Sequence, residues 1–142
     1  MRFLLDVNVL VALSFPESES HGIAQRWFCA QPNRPWATCS LTQAGFLRTA
    51  WALLGRTHGA LATALASLEQ SCSVPNHEFW PDSIDLRDLS ANHRARLIGR
   101  NQVADMQLLL LAHKRRSQLV TFDAGVRILA AGSKFSESLL IL

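Results

Sequence analysis

Cysteine is scarce and odd in number: Cys29, Cys39 and Cys72 are the three in 142 residues. With no paired spacing they offer neither a disulfide framework nor a zinc site, and a reducing compartment suits them best, in a core or at an interface. No apolar run approaches the roughly 18 residues that a membrane span requires. The one stretch resembling a signal peptide, apolar after Arg2, contains Asp6 and Asn8 and has no small-residue cleavage site behind it. Membrane insertion is thereby excluded and a cytoplasmic protein expected. Internal repeats and low-complexity tracts are missing as well. Acids are few, 11 against 14 Lys and Arg, for a net charge of +3. That mild basic excess permits a polyanionic partner without requiring one. At 49% apolar and 18% charged residues the chain is no disordered segment, and its length suits one domain spanning residues 1–142.

The stretch Phe3-Leu4-Leu5-Asp6-Val7-Asn8-Val9-Leu10 organises what is there. Phe3–Leu5 reads as a strand buried on both faces, the habit of a parallel sheet. Asp6 then stands where that strand passes into a short helix over 7–13, at the carboxyl edge where open α/β sheets bind ligands. Further helices are expected over 23–31, 41–54 and 58–71, the last two as a hairpin broken by Gly55, with Ser40 as N-cap of the first. An Ala-rich face on 58–71 suits close helix packing or a dimer contact. Residues 82–95 read as a polar helical stretch, 99–102 as a loop, 103–116 as the most apolar helix and 124–131 as a short one. Strands are expected at Trp36–Cys39, His77–Trp80, 118–122 and 139–142. Alternating strands and helices predict a three-layer α/β/α fold with a mostly parallel central sheet.

With so few acids, their positions carry information. Asp6 ends the first strand, Asp105 opens the Leu-rich helix, and Asp123 follows the strand Leu119-Val120-Thr121-Phe122. Right-handed crossovers bring strand ends and helix starts to one rim, so three acids from distant positions converge there. Like charges so placed repel unless a cation neutralises them, and a hard divalent ion is the natural partner. Taken singly, Asp105 also suits a helix dipole and Asp123 a turn. Their coincidence on one edge favours the metal.

Four segments resemble the PIN domain family, and most of all the VapC-type toxins of bacterial toxin–antitoxin systems. They are residues 4–10, Val103-Ala104-Asp105 with 108–112 after it, Leu119-Val120-Thr121-Phe122-Asp123, and the run from Trp36 to Arg48. The resemblance spans essentially the whole chain. It implies an endoribonuclease that hydrolyses RNA phosphodiester bonds with Mg²⁺ or Mn²⁺, a VapB-like antitoxin that inhibits it, and a homodimer. tRNA or another structured RNA would be the substrate class. By the same resemblance Asp6, Asp105 and Asp123 carry the catalytic metal, with Asn8, Gln43 and Thr121 as polar support. The family's further acid, usually Glu, falls where Gln43 stands, which would weaken metal binding. Ser40-x-x-Gln43 also has the form of a capping box.

Cations for RNA phosphates are expected at Arg94, Arg96 and Arg100, ahead of the Asp105 helix. Lys114-Arg115-Arg116 sits at a helix C-terminus, where cations are ordinary. The five histidines are read as structural or solvated. A phosphatase would want Asp-x-Asp where the chain has Asp6-x-Asn8, and a response regulator paired acids. The remaining alternative is a catalytically weakened PIN domain that binds RNA or antitoxin without cleaving.

Overall fold

The computed structural model describes residues 1–132 and 134–142. Five short strands, β1 (Phe3–Leu5), β2 (Trp36–Cys39), β3 (His77–Trp80), β4 (Gln118–Thr121) and β5 (Leu139–Ile141), form one sheet ordered β3-β2-β1-β4-β5. Every pairing is parallel, with Leu4 opposite both Ala37 and Leu119.

Alternation along the strands sorts the core into two faces. Phe3, Leu5, Trp36 and Val120 point to one side, where they meet α1 (Val7–Ser14), α2 (His21–Cys29), α3 (Ser40–Leu53) and α4 (Ala60–Cys72). Leu4, Ala37, Cys39 and Leu119 point to the other, against α6 (Asn101–Lys114) and α7 (Arg127–Ala130). The three-layer α/β/α arrangement predicted from the alternation of elements is therefore present. Helices α3 and α4 form the expected hairpin, joined through left-handed Gly55, Arg56 and Gly59.

Three local expectations are corrected. Residues 82–95 hold no continuous helix, only a 3-10 turn at Leu86–Asp88 and α5 (Ala91–Arg96). There Asp82, Asp85 and Ser90 accept hydrogen bonds from the backbone amides of Ile84, Arg87 and His93, and such bonds compete with a helix. Helix α6 starts at Asn101, not Val103, because Gln102 Oε1 turns back to accept from the amides of Ile98 and Gly99. Asp105 thus lies one turn inside the helix. The N-cap of α3 is Cys39, whose amide donates to Thr42 Oγ1, so the capping box involves Cys39 and Thr42, not Ser40 and Gln43.

Among the described residues no helix is long and apolar enough to cross a membrane. Cys39 is buried and Cys72 half-buried, but Cys29 is exposed, so it is not a core residue.

Candidate metal centre at the carboxyl edge

β1 ends at Leu5, and the next amide, that of Asp6, still donates to Val120 of β4. The chain then turns into α1 with Asp6 as N-cap: Oδ1 accepts from the Val7 amide at 2.7 Å. Its other oxygen, Oδ2, accepts from Thr121 Oγ1 at 2.6 Å. Asp6 is only 8% exposed, and Thr121 is wholly buried.

Thr121 is the hub of this edge. Its hydroxyl accepts from Asn8 Nδ2 at 2.9 Å and from the Asp123 amide at 3.0 Å. With both acceptor positions filled, its single proton goes to Asp6. Asn8 is oriented at its other end, where Oδ1 accepts from the Phe122 amide. Asp123 follows, and its Oδ1 accepts from the Gly125 amide at 2.7 Å. One saturated network thus ties the end of β1, the first turn of α1 and the loop after β4.

Asp6, Asp105 and Asp123 line a hollow of about 430 Å³ together with Ser18, Ser20 and Thr49. No Lys or Arg among the described residues lines it, and no acid of the three joins an ion pair there; the two ion pairs are Arg2–Glu78 and Arg87–Asp85. The electrostatic consequence is strongest at Asp105. Burial, then Asp6 and Asp123, push its carboxyl up to about 6. Burial also raises Asp6, against the Thr121 and Val7 hydrogen bonds that favour its charge.

Does a divalent cation fit? No three acid, His or Cys side chains among the described residues are drawn together tightly enough to encircle an ion. Mg²⁺, however, is commonly held by one or two carboxylates and retains its waters. The hollow offers hard oxygen donors, uncompensated negative charge and room, which match that demand.

Other residues named from the sequence fall elsewhere. Gln43 does not line the hollow; its Nε2 donates to Thr38 Oγ1 at 3.0 Å. Arg94 bonds the carbonyls of Leu89 and Arg87, and Arg96 that of Leu129, so both tie backbone. Arg100 stands at the N-cap of α6, just ahead of Asp105. His21, His77, His93 and His113 are half-buried in hydrogen bonds or against aromatic rings, and His58 is exposed. Lys114 Nζ bonds the Ser83 carbonyl. Ser18, Ser20 and Thr49 escaped sequence reasoning, since a hydroxyl in a loop or on an exposed helix carries no signal of its own.

An all-parallel sheet with acids gathered at its carboxyl edge defines the class, and residues 3–132 match the family model described as PIN domain. The chain belongs to the PIN domain family. Within it the chain is of the VapC type. It is similar to three Mycobacterium tuberculosis proteins: Ribonuclease VapC39 (39% identical, covering 89% of this chain and 91% of the relative), Ribonuclease VapC38 (41%, 89% of each) and Ribonuclease VapC44 (34%, the full length of both). Among solved structures it resembles the crystal structure of M. tuberculosis VapC20, described as a Sarcin-Ricin loop cleaving toxin. The TM-score is 0.62 at 18% identity, over 92% of this chain and 95% of that one, a likeness of fold.

Proposed function

We propose that this chain is a divalent-metal-dependent endoribonuclease of the VapC type, working as one domain in the cytoplasm and held in check by a VapB-like antitoxin. The observation that carries the reading is the hollow into which Asp6, Asp105 and Asp123 converge with no cation among the described residues to balance them. The VapC relatives, each named a ribonuclease, support RNA as the substrate and a toxin's setting. The homodimer belongs to the same reading.

Asp6, Asp105 and Asp123 would hold Mg²⁺ or Mn²⁺. Bound there, the ion would lower the pKa of a water and offset charge growing on the phosphate oxygens. The protein's own contribution is preorganisation. Thr121 and the Val7 amide hold Asp6 as an oriented anion, so it need not reorganise when ligand arrives. Asp105, its carboxyl pushed up to about 6 by burial and then by its fellow acids, would be held as the carboxylate by a bound cation. Ser18, Ser20 and Thr49, which line the same hollow, would offer neutral hydroxyls to phosphate or ribose oxygens. No side chain there needs to act as a nucleophile.

Purified protein should cleave RNA in Mg²⁺ or Mn²⁺ and stop in chelator. Asp6→Asn and Asp105→Asn should each lose at least a hundredfold in rate while keeping the fold, judged by circular dichroism. Undiminished cleavage by either variant would overturn the assignment. With a cleavage-dead variant, RNA affinity should fall with salt by about 0.7 log units per phosphate contact per tenfold change in concentration. Arg100→Ala should lower that slope by about one contact, whereas Arg94 and Arg96, tied to carbonyls, should matter less.

A further inference from the structure

We infer that Gly125 is a positioning residue for the metal site, its missing side chain holding the Asp123 carboxylate in the one orientation that faces the hollow. The inference rests on the metal reading of the three acids.

Asp123 is exposed, so packing does little to choose its rotamer. What holds it is a turn. Its amide donates to Thr121 Oγ1, and its Oδ1 accepts from the Gly125 amide in the 3-10 turn Ala124–Val126. That bond occupies one oxygen and leaves Oδ2 as the less committed one.

A Cβ at position 125 would lie 2.9 Å from Asp123 Oδ1, 3.7 Å from its Cγ and 3.9 Å from Oδ2. The first distance is well inside ordinary contact, and the atom it strikes is the mobile end of a surface side chain. Relief therefore comes by swinging the carboxylate, not by disturbing the core. Only glycine lets Oδ1 sit this close over the turn.

Backbone freedom offers no competing reason for the residue. Gly125 is not among the glycines with positive φ, which are Gly55, Gly59 and Gly132. An alanine fits its backbone, and removing a glycine narrows the unfolded ensemble. A purely structural role therefore predicts that Gly125→Ala changes melting temperature alone and leaves metal affinity as it was. A positioning role predicts a split: stability kept, metal binding lost. Groups that orient metal ligands typically govern affinity by about 10- to 100-fold, and sites tolerate displacements of only about 0.5 Å.

The test is calorimetric titration of Mn²⁺ into wild type, Gly125→Ala and Asp123→Asn, with melting curves of each in chelator. The expected result is a 10- to 100-fold weaker Mn²⁺ affinity for Gly125→Ala with a melting temperature equal to or above wild type. Wild-type affinity in Gly125→Ala beside weakened Asp123→Asn would overturn the positioning role and leave the metal site standing. A lowered melting temperature accompanying the affinity loss would overturn it too, since the split would be gone. A wild-type protein that takes up no Mn²⁺ would overturn the metal reading and this inference together.

Discussion

Two buried threonines flank the central strand, Thr38 near the end of β2 and Thr121 at the end of β4, and each is wholly inaccessible. Both act as hydrogen-bond hubs, yet their neighbours differ. Thr121 gathers Asp6, Asn8 and the Asp123 amide. Thr38 gathers Gln43, His77 and the Cys72 thiol. The first hub orients acids that repel one another; the second clamps uncharged groups from α3, α4 and β3. The charged hub keeps an electrostatic debt that a cation can cancel, whereas the neutral hub satisfies its partners internally. The same residue type at matching strand ends thus serves a site on one side of β1 and a joint on the other.

Replacing each hydroxyl by a methyl separates these roles. Thr121→Val should reduce cleavage and Mn²⁺ affinity by about 10- to 100-fold. It should also cost about 1–3 kcal/mol in a denaturant titration, since Asn8 and the Asp123 amide lose an acceptor. Thr121→Ser, which restores the hydroxyl, should recover most of the affinity. Thr38→Val should cost a similar 1–3 kcal/mol while cleavage stays within about twofold, because what it strands is structural. Equal catalytic losses at the two threonines would erase the contrast.

Protons act on the two hubs in opposite directions. Burial holds His77 below its ordinary value, so the folded ring binds fewer protons than the unfolded one. The neutral hub therefore loses stability as pH falls through about 6.5. Asp105, raised to about 6, does the reverse. Without metal the folded state binds more protons between about 4 and 6, so the charged hub gains stability as pH falls across that window. Melting in chelator from pH 7.5 to 4.5 should show His77→Gln flattening the loss and Asp105→Asn shrinking the gain, to which Asp6 also contributes. Bound Mn²⁺ should remove the Asp105 effect and leave that of His77.

The smallest effect is expected at Gln43. With its side chain on Thr38 and away from the hollow, Gln43→Glu should leave Mn²⁺ affinity within about twofold, as read by calorimetry. A marked tightening would mean that position 43 reaches the acids in solution.

The two hubs also show why one was legible in the sequence and the other was not. Asp6, Asp105 and Asp123 stand out because carboxylates are rare in this chain and fall at the ends of apolar runs, where topology brings distant positions to one rim. Thr121 was readable only by adjacency to Asp123. Thr38 is a threonine in a strand, and nothing local reveals that Gln43 and His77 meet it from two other elements. Boundaries behaved alike. β2 and β3, hemmed by Pro35 and Pro81, were found to the residue. The start of α6 was misplaced because it depends on how the Gln102 side chain turns, and 82–95 because Asp82, Asp85 and Ser90 can cap as readily as they can continue a helix. Gly125 was visible as a glycine two places after an acid, but its clash with Oδ1 exists only in three dimensions.

The span between β1 and β4 sets when the carboxyl edge can first assemble during synthesis. Asn8 and Thr121, bonded in the finished edge, are 113 positions apart. A ribosome translating at about 5–20 residues per second passes between them in roughly 6–23 seconds. Through that interval Asp6 lacks its hydroxyl donor, and the three acids are complete only once Asp123 is added. A chain that stops short of Asp123 lacks one of the three acids and carries no assembled hollow.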